Sequence, residues 1–335
     1  MKQRYPSTRT LANRFRLMLG GDESISGDVE IVDRSPDPCS STFPSEIVTC
    51  RIGDQGPLKL LCKYSRSERR QLPAWHLSHG SRHGTGYEAW VYRHVLEPLQ
   101  MTTPRLWGTY EGRSGWVWLA LEYLDDSIRI NSAPQWLESA AAWIGRFHAC
   151  NETRLSEPAV QFLSTYTVDY YRGWVRRTLK YGSKFRNDCR HLGVLSGAFE
   201  PGIDALLEPP LTIIHGEYYP SNVLWRSDGV YPVDWETAAI AAGEIDLAAL
   251  TEHWPAETAE RCEAAYVRAR WPAGGDDAAF ARRLSAARLY MLLRWTGTAR
   301  AWRNRESRIY YLRRLAGELE SLNERHAVEL APVVS

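Results

Sequence analysis

Long apolar runs are missing from this chain of 335 residues, and so is any large excess of one charge. No stretch approaches the roughly 18 apolar residues that span a bilayer, which argues against a membrane-spanning protein. A formal net charge of +1 gives no overall pull toward nucleic acid or a membrane surface. Cysteine is sparse and scattered. Cys39, Cys50, Cys62, Cys150, Cys189 and Cys262 form no C-x-x-C pair. They read as reduced thiols, and the expected location is the cytoplasm. Fixed-period repeats and long low-complexity tracts are absent too, so a solenoid or a linker-rich array is not expected.

What is there describes an ordinary globular protein. A hydrophobic fraction of 44% and a charged fraction of 24% fit a folded domain with a sizeable core, and the length suits two lobes. The 14 tryptophans are spread between Trp75 and Trp302 and read as core residues rather than one site. Lys2, Arg4, Arg9, Arg14 and Arg16 precede any acidic residue, as in a transit peptide. Leu11, Phe15 and Leu19 recur at helical spacing, however, so an amphipathic helix ending at Gly20-Gly21 is the better reading.

The N-terminal third alternates short β-like runs with turns. Strands are expected over Val29–Asp33, Glu46–Ile52, Leu58–Tyr64, Arg105–Tyr110 and Trp116–Tyr123, with a helix over Tyr87–Leu96. Helical periodicity then covers Pro134–Cys150, Thr165–Tyr181, Pro255–Arg270, Asp277–Arg303 and Arg308–His326. A β-hairpin is expected over Val223–Trp225 and Val230–Trp235. The expected boundary lies near Leu124-Asp125-Asp126, giving an α+β protein with a small β-rich lobe over 1–124 and a larger, mainly helical lobe over 125–335.

One stretch carries most of the chemistry: Ile214-His215-Gly216-Glu217-Tyr218-Tyr219-Pro220-Ser221-Asn222-Val223-Leu224, followed by Val233-Asp234-Trp235-Glu236. A carboxylate stands two residues after a histidine, an asparagine five residues later, and an aspartate ends the next apolar run. That is the H-x-D-x-x-x-x-N and metal-aspartate pattern of phosphoryl transfer, with glutamate in place of the first aspartate. Lys63 ends the third strand, where its ammonium can reach phosphates, and Glu88 opens the next helix, where it can pair with Lys63. An ordinary acidic residue near a helix N-terminus is the plain alternative for Glu88.

Together these segments resemble the aminoglycoside phosphotransferase and choline kinase-like family, a branch of the protein-kinase-like fold. The resemblance also rests on Leu121-Glu122-Tyr123-Leu124, on Ile144-Gly145-Arg146-Phe147-His148-Ala149, and on Asp246-Leu247-Ala248. It implies a two-lobed fold using ATP (or GTP) and Mg²⁺. Asp234 and Asn222 are then the metal ligands, and Lys63, braced by Glu88, contacts phosphates. Glu122 and Leu124 belong to the connector whose backbone meets the base, and Glu217 orients the acceptor hydroxyl. His215 braces the loop, and Asp246 is a supporting carboxylate.

Three departures stand against the family pattern. Glu217 is longer than the usual aspartate by one methylene. No G-x-G-x-x-G loop is present, so Ser35–Ser45 is left to cover the phosphates. Pro232 lies in the strand before Asp234, which requires that strand to be at an edge or to lack a partner there. His76, His79 and His83 have metal-like spacing but lie in a Ser/Gly/Arg loop, where a solvated loop is the plainer reading than zinc. Basic runs at Arg172–Arg190 and Arg294–Arg314 read as solvated helix faces or as a surface for a neutral or anionic substrate. Either reading disfavours a polycationic aminoglycoside, which wants acidic walls. Aromatics among the basic residues look equally like helix core, so nucleic acid is not the expected partner. The expected activity is phosphorylation of a small-molecule hydroxyl acceptor. The competing expectation is a kinase-like pseudoenzyme that binds nucleotide or a partner without turnover, for which Glu217 is the motive.

Overall fold

The protein is described from a computed structural model, over residues 5–19, 28–39, 43–53, 56–66, 83–112, 115–185 and 195–326. These fall into two compact units. One comprises the described residues up to 128 together with 224–237; the other comprises 129–223 and 238–326.

The first unit is built on a five-stranded antiparallel sheet. Its strands are β1 (Val29–Pro36), β2 (Ser45–Ile52), β3 (Leu58–Arg66), β4 (Leu106–Glu111) and β5 (Trp116–Glu122), in the order β1-β2-β3-β5-β4. Helix α1 (Thr8–Leu19) lays Leu11, Phe15, Met18 and Leu19 against Val48, Cys50, Leu60, Cys62 and Tyr64. Each large apolar side chain so buried contributes about 1.5–3 kcal/mol. Strand β1 runs past Asp33 to Pro36 because Arg34 forks onto Glu46 across the ladder, at 3.0 Å through Nε and 2.7 Å through Nη2. Tyr64 adds its hydroxyl to the same buried carboxylate at 2.5 Å.

By strand alternation, Lys63 faces away from α1. Helix α2 (Thr85–Val91) packs there, and the Thr85 hydroxyl donates to the Val117 carbonyl at 2.9 Å. The expected single helix is in fact three pieces. After Val91 the turns widen into a π-helix over Tyr92–Leu96, then tighten over Glu97–Leu99 and stop at left-handed Gln100. The hairpin strands, β7 and β8, span Val223–Arg226 and Gly229–Pro232. Strand β8 lies at a sheet edge and stops at Pro232, three residues before the expected end, because proline has no N–H to extend a ladder.

The second unit is mainly helical. Helices α3 (Leu137–Glu152) and α7 (Ala256–Arg270) pack so closely that a Cβ at Gly145 would lie 2.7 Å from the Tyr266 carbonyl oxygen. Helix α8 (Asp277–Thr296) is buried on nearly every side, against α4 (Val168–Gly182), α5 (Glu200–Leu207) and α6 (Glu244–Thr251). It ends at Thr296 rather than Arg303, since the Trp302 indole caps the Thr296 carbonyl at 2.6 Å. Helix α5, which begins Glu200-Pro201, has no counterpart among the expected elements. Strands β6 (Thr212–Ile214) and β9 (Ala239–Ala241) pair antiparallel beneath the motif loop, and α9 (Arg305–His326) completes the unit. No helix among the described residues is long and apolar enough to cross a membrane. The described cysteines Cys39, Cys50, Cys62, Cys150 and Cys262 are free thiols.

Candidate active site

In the first unit, Lys63 bridges two carboxylates. Its Nζ lies 2.9 Å from Glu88 Oε1, 3.0 Å from Glu88 Oε2 and 2.8 Å from Asp234 Oδ1. Glu88 is fully buried and also accepts the Trp235 N–H at 3.3 Å. Burial works against the Lys63 charge, but Glu88 and Asp234 outweigh it and hold the ammonium above the ordinary lysine range. Burial pushes the Glu88 carboxyl upward, with Lys63 opposing.

Asp234 comes to Lys63 through backbone strain. Its φ is +71°, a left-handed conformation that costs a non-glycine residue about 1–3 kcal/mol. The strain is held by Trp235 just after it, which is fully buried and donates its indole N–H back to the Pro232 carbonyl at 3.2 Å. Tyr92, in the π-turn one helical turn beyond Glu88, buries a hydroxyl that finds no hydrogen-bond partner among the described residues. Widened turns of this kind recur at functional sites.

Glu122 closes the connector side. It accepts the Arg105 N–H at 3.1 Å and Arg226 at 3.3 Å, and its own N–H donates to the Arg105 carbonyl at 2.8 Å. Leu124 is buried, and its carbonyl accepts the Ser127 hydroxyl at 2.8 Å. Glu236 is fully buried, and its carbonyl accepts the His83 N–H at 3.2 Å. His83 stacks on Tyr87 with centroids 3.9 Å apart, while His76 and His79 lie outside the described residues. Among the described residues no group of three or more His, Cys, Asp or Glu is arranged to hold a metal by itself. In the Ser35–Ser45 segment residues 40–42 lie outside the described residues, and across that gap Asp37 accepts the Ser45 hydroxyl at 2.7 Å.

In the second unit the motif loop is pinned from beneath. Asp246, buried at the start of α6, accepts the His215 N–H at 2.6 Å, the Gly216 N–H at 2.9 Å and the His148 ring at 3.2 Å. Gly216 has φ +82°, which glycine adopts without a Cβ penalty. The His215 Nδ1 accepts the Glu217 N–H at 3.2 Å, and the Asn222 amide donates to the Glu217 carbonyl at 3.0 Å. With its NH₂ so used, Asn222 has its amide oxygen left to offer.

Glu217 itself meets a residue the sequence reading did not pair with it. Arg294 Nη2 donates to Glu217 Oε1 at 2.6 Å, and its Nη1 donates to the Gly216 carbonyl. Arg294 is therefore no part of a solvated face. The signal was its place in Leu289-Tyr290-Met291-Leu292-Leu293-Arg294-Trp295, an apolar run in which a charge needs a partner. Burial opposes its charge, yet Tyr219, Tyr290 and Glu217 around it hold its pKa up.

Asp234 and Asn222 supply hard oxygen donors of the kind Mg²⁺ takes alongside substrate phosphates. Each residue, within its own unit, thus has the donor chemistry for a metal carried in with a nucleotide, an ion that would neutralise phosphate charge.

The profile of the phosphotransferase enzyme family matches residues 88–284, more than half of the chain, and the chain belongs to that family. A search of curated proteins finds no match. Among solved structures, similarity in fold is extensive. A choline kinase from Cryptosporidium parvum Iowa II superposes with a TM-score of 0.59 at 13% identity, over 96% of this chain and 97% of that one. An amicoumacin kinase in complex with AMP-PNP and Ca²⁺ gives 0.58 at 9% identity, over 98% and 96%. A spectinomycin phosphotransferase with ADP and spectinomycin gives 0.55 at 12% identity, over 96% and 99%. At these identities the likeness is one of fold, the two-lobed kinase-like fold with a β-rich N-terminal sheet and a helical C-terminal region.

Proposed function

We propose that this protein is a small-molecule kinase that transfers the γ-phosphoryl group of ATP (or GTP) to a substrate hydroxyl with Mg²⁺. The observation that carries the reading is Lys63 held between Glu88 and Asp234. A buried ammonium flanked by two carboxylates is costly to assemble and serves no packing need, whereas phosphoryl transfer needs it to position phosphates. In this reading Lys63 binds phosphate oxygens, Asp234 and Asn222 hold the metal, and Glu217 takes or orients the acceptor proton. His215 and Asp246 keep the loop in place, and the Glu122–Leu124 connector meets the base. These assignments follow the family motif, residue by residue. They belong to chemistry in which orientation and charge neutralisation supply most of the rate.

The acceptor in this reading is not a polycationic aminoglycoside. The loop carboxylate is already neutralised by Arg294, so it adds no acidic wall for a polycation. The alternative, a kinase-like protein that binds nucleotide or a partner without turnover, draws on glutamate standing where the motif has aspartate.

Thermal unfolding with and without Mg·ATP or Mg·GTP tests the nucleotide site. A ligand at 100 times its Kd stabilises the native state by about 2.7 kcal/mol, and Asp234→Ala should remove the Mg²⁺-dependent part. No shift in the wild type at millimolar nucleotide would defeat the reading. Glu217→Gln should lower transfer to a true acceptor by about 10²–10⁴ while nucleotide still binds. A wild type that binds nucleotide yet phosphorylates nothing in a broad panel of hydroxyl compounds would favour the alternative.

A further inference from the structure

Arg294 and Glu217 are 77 residues apart in sequence and belong to different elements, a helix and the motif loop. Both side chains are only 8% exposed. Burying a guanidinium is unfavourable unless its charge and its donors are matched, and here two of its nitrogens converge on adjacent residues of one loop. The loop backbone is already fixed from the opposite side by Asp246, at the His215 and Gly216 amides. Arg294 therefore adds what those bonds lack: it fixes the direction of the Glu217 side chain.

That addition answers the question raised by the longer residue. A glutamate has one more rotatable bond than an aspartate, and its carboxylate can swing away from a productive position. We propose that Arg294 is a positioning residue that adapts this loop to glutamate, holding the Glu217 carboxylate by one oxygen while gripping the Gly216 carbonyl. The inference rests on the kinase reading above. Its geometry also specifies why aspartate would not substitute. Shortening the side chain by ~1.5 Å takes the 2.6 Å contact to about 4 Å, outside hydrogen-bonding range.

The test uses the full chain with Arg294→Lys, Arg294→Met, Glu217→Asp and the double variant Arg294→Met/Glu217→Asp. Phosphate release from Mg·ATP with water as acceptor, and transfer to a panel of neutral, anionic and cationic hydroxyl compounds, are measured beside nucleotide affinity. Arg294→Met should lower kcat about a hundredfold with nucleotide affinity unchanged, the cost of a carboxylate misplaced by about 1 Å. Arg294→Lys, which keeps the charge but not the fork, should recover part of that loss. Glu217→Asp should also fall, and the double variant should lose no more than Arg294→Met alone, because the two residues act as a unit.

Wild-type kcat in either Arg294 variant, a raised kcat, or additive losses in the double variant would each overturn the proposal. If Arg294→Met does not fold, Arg294→Lys decides the matter by the same criterion. A wild type that binds Mg·ATP and transfers to nothing, water included, defeats the kinase reading and takes this inference with it. That outcome differs visibly from an active wild type indifferent to Arg294.

Discussion

Asp246→Asn changes one atom and should disable the motif loop. The carboxylate oxygen Oδ2 accepts the His215 N–H at 2.6 Å and faces the His148 ring at 3.2 Å, while Oδ1 accepts the Gly216 N–H at 2.9 Å. An asparagine can supply only one oxygen. Its better orientation keeps that oxygen where two partners meet and turns its NH₂ toward Gly216, so that two donors face each other inside a fully buried site. A hydrogen bond to a charged acceptor contributes about 1.5–3 kcal/mol, and leaving a buried donor unsatisfied costs about 1–3 kcal/mol more. The expected loss of stability is therefore about 3–5 kcal/mol, comparable to breaking a buried ion pair. The Gly216 amide must shift to escape, and Glu217 follows it. A displacement of about 1 Å should cut turnover about a hundredfold. The urea midpoint at unchanged m-value reads the first effect, and phosphate release from Mg·ATP reads the second. A variant within about 0.5 kcal/mol of wild type, the range of a surface change, would refute the reasoning.

Two further outcomes follow from the same geometry. Lys63→Met and Glu88→Gln should each weaken nucleotide affinity, and the double variant should lose much less than the sum, because the 2.9 Å pair is a unit; additive losses by calorimetry would mean that the pair does not act together. Stability should fall as pH is lowered below about 6.5, because burial depresses the His148 pKa, only partly offset by Asp246, so the unfolded chain binds more protons there; His148→Gln should flatten that slope in urea unfolding between pH 5 and 7, and an unchanged slope would assign it elsewhere.

Much of the fold could be read from local pattern, and its errors have local causes. Alternation located all five strands of the first sheet. It could not show that β1 continues to Pro36, because the reason is the Arg34–Glu46 fork across the ladder. Periodicity placed a helix after residue 86 but not its π-turn, which leaves composition unchanged. Helix α5 was missed because Gly197, Pro201 and Gly202 resemble turn chemistry, whereas Pro201 stands in the first turn, where its missing N–H costs nothing.

The candidate site divides along the same line. Residues whose partners follow from a motif, such as Lys63 and Glu88, could be named from sequence. Residues whose partners are set by tertiary packing could not. Arg294 illustrates the difference. Read among neighbouring arginines it belongs to a basic run; read among Leu292, Leu293 and Trp295 it is a charge in an apolar helix, and the second context decides its environment. Arg270 and Arg283 are buried on Glu244 in the same manner, at 3.3 and 3.1 Å, and neither stands in a recognisable motif. A buried arginine has five donors to satisfy, so its presence in an apolar run predicts that a carboxylate or a carbonyl lies opposite, though not which one. For Arg294 the sequence offered a candidate all the same: a motif glutamate one methylene too long, whose extra reach makes sense only if something is there to meet it.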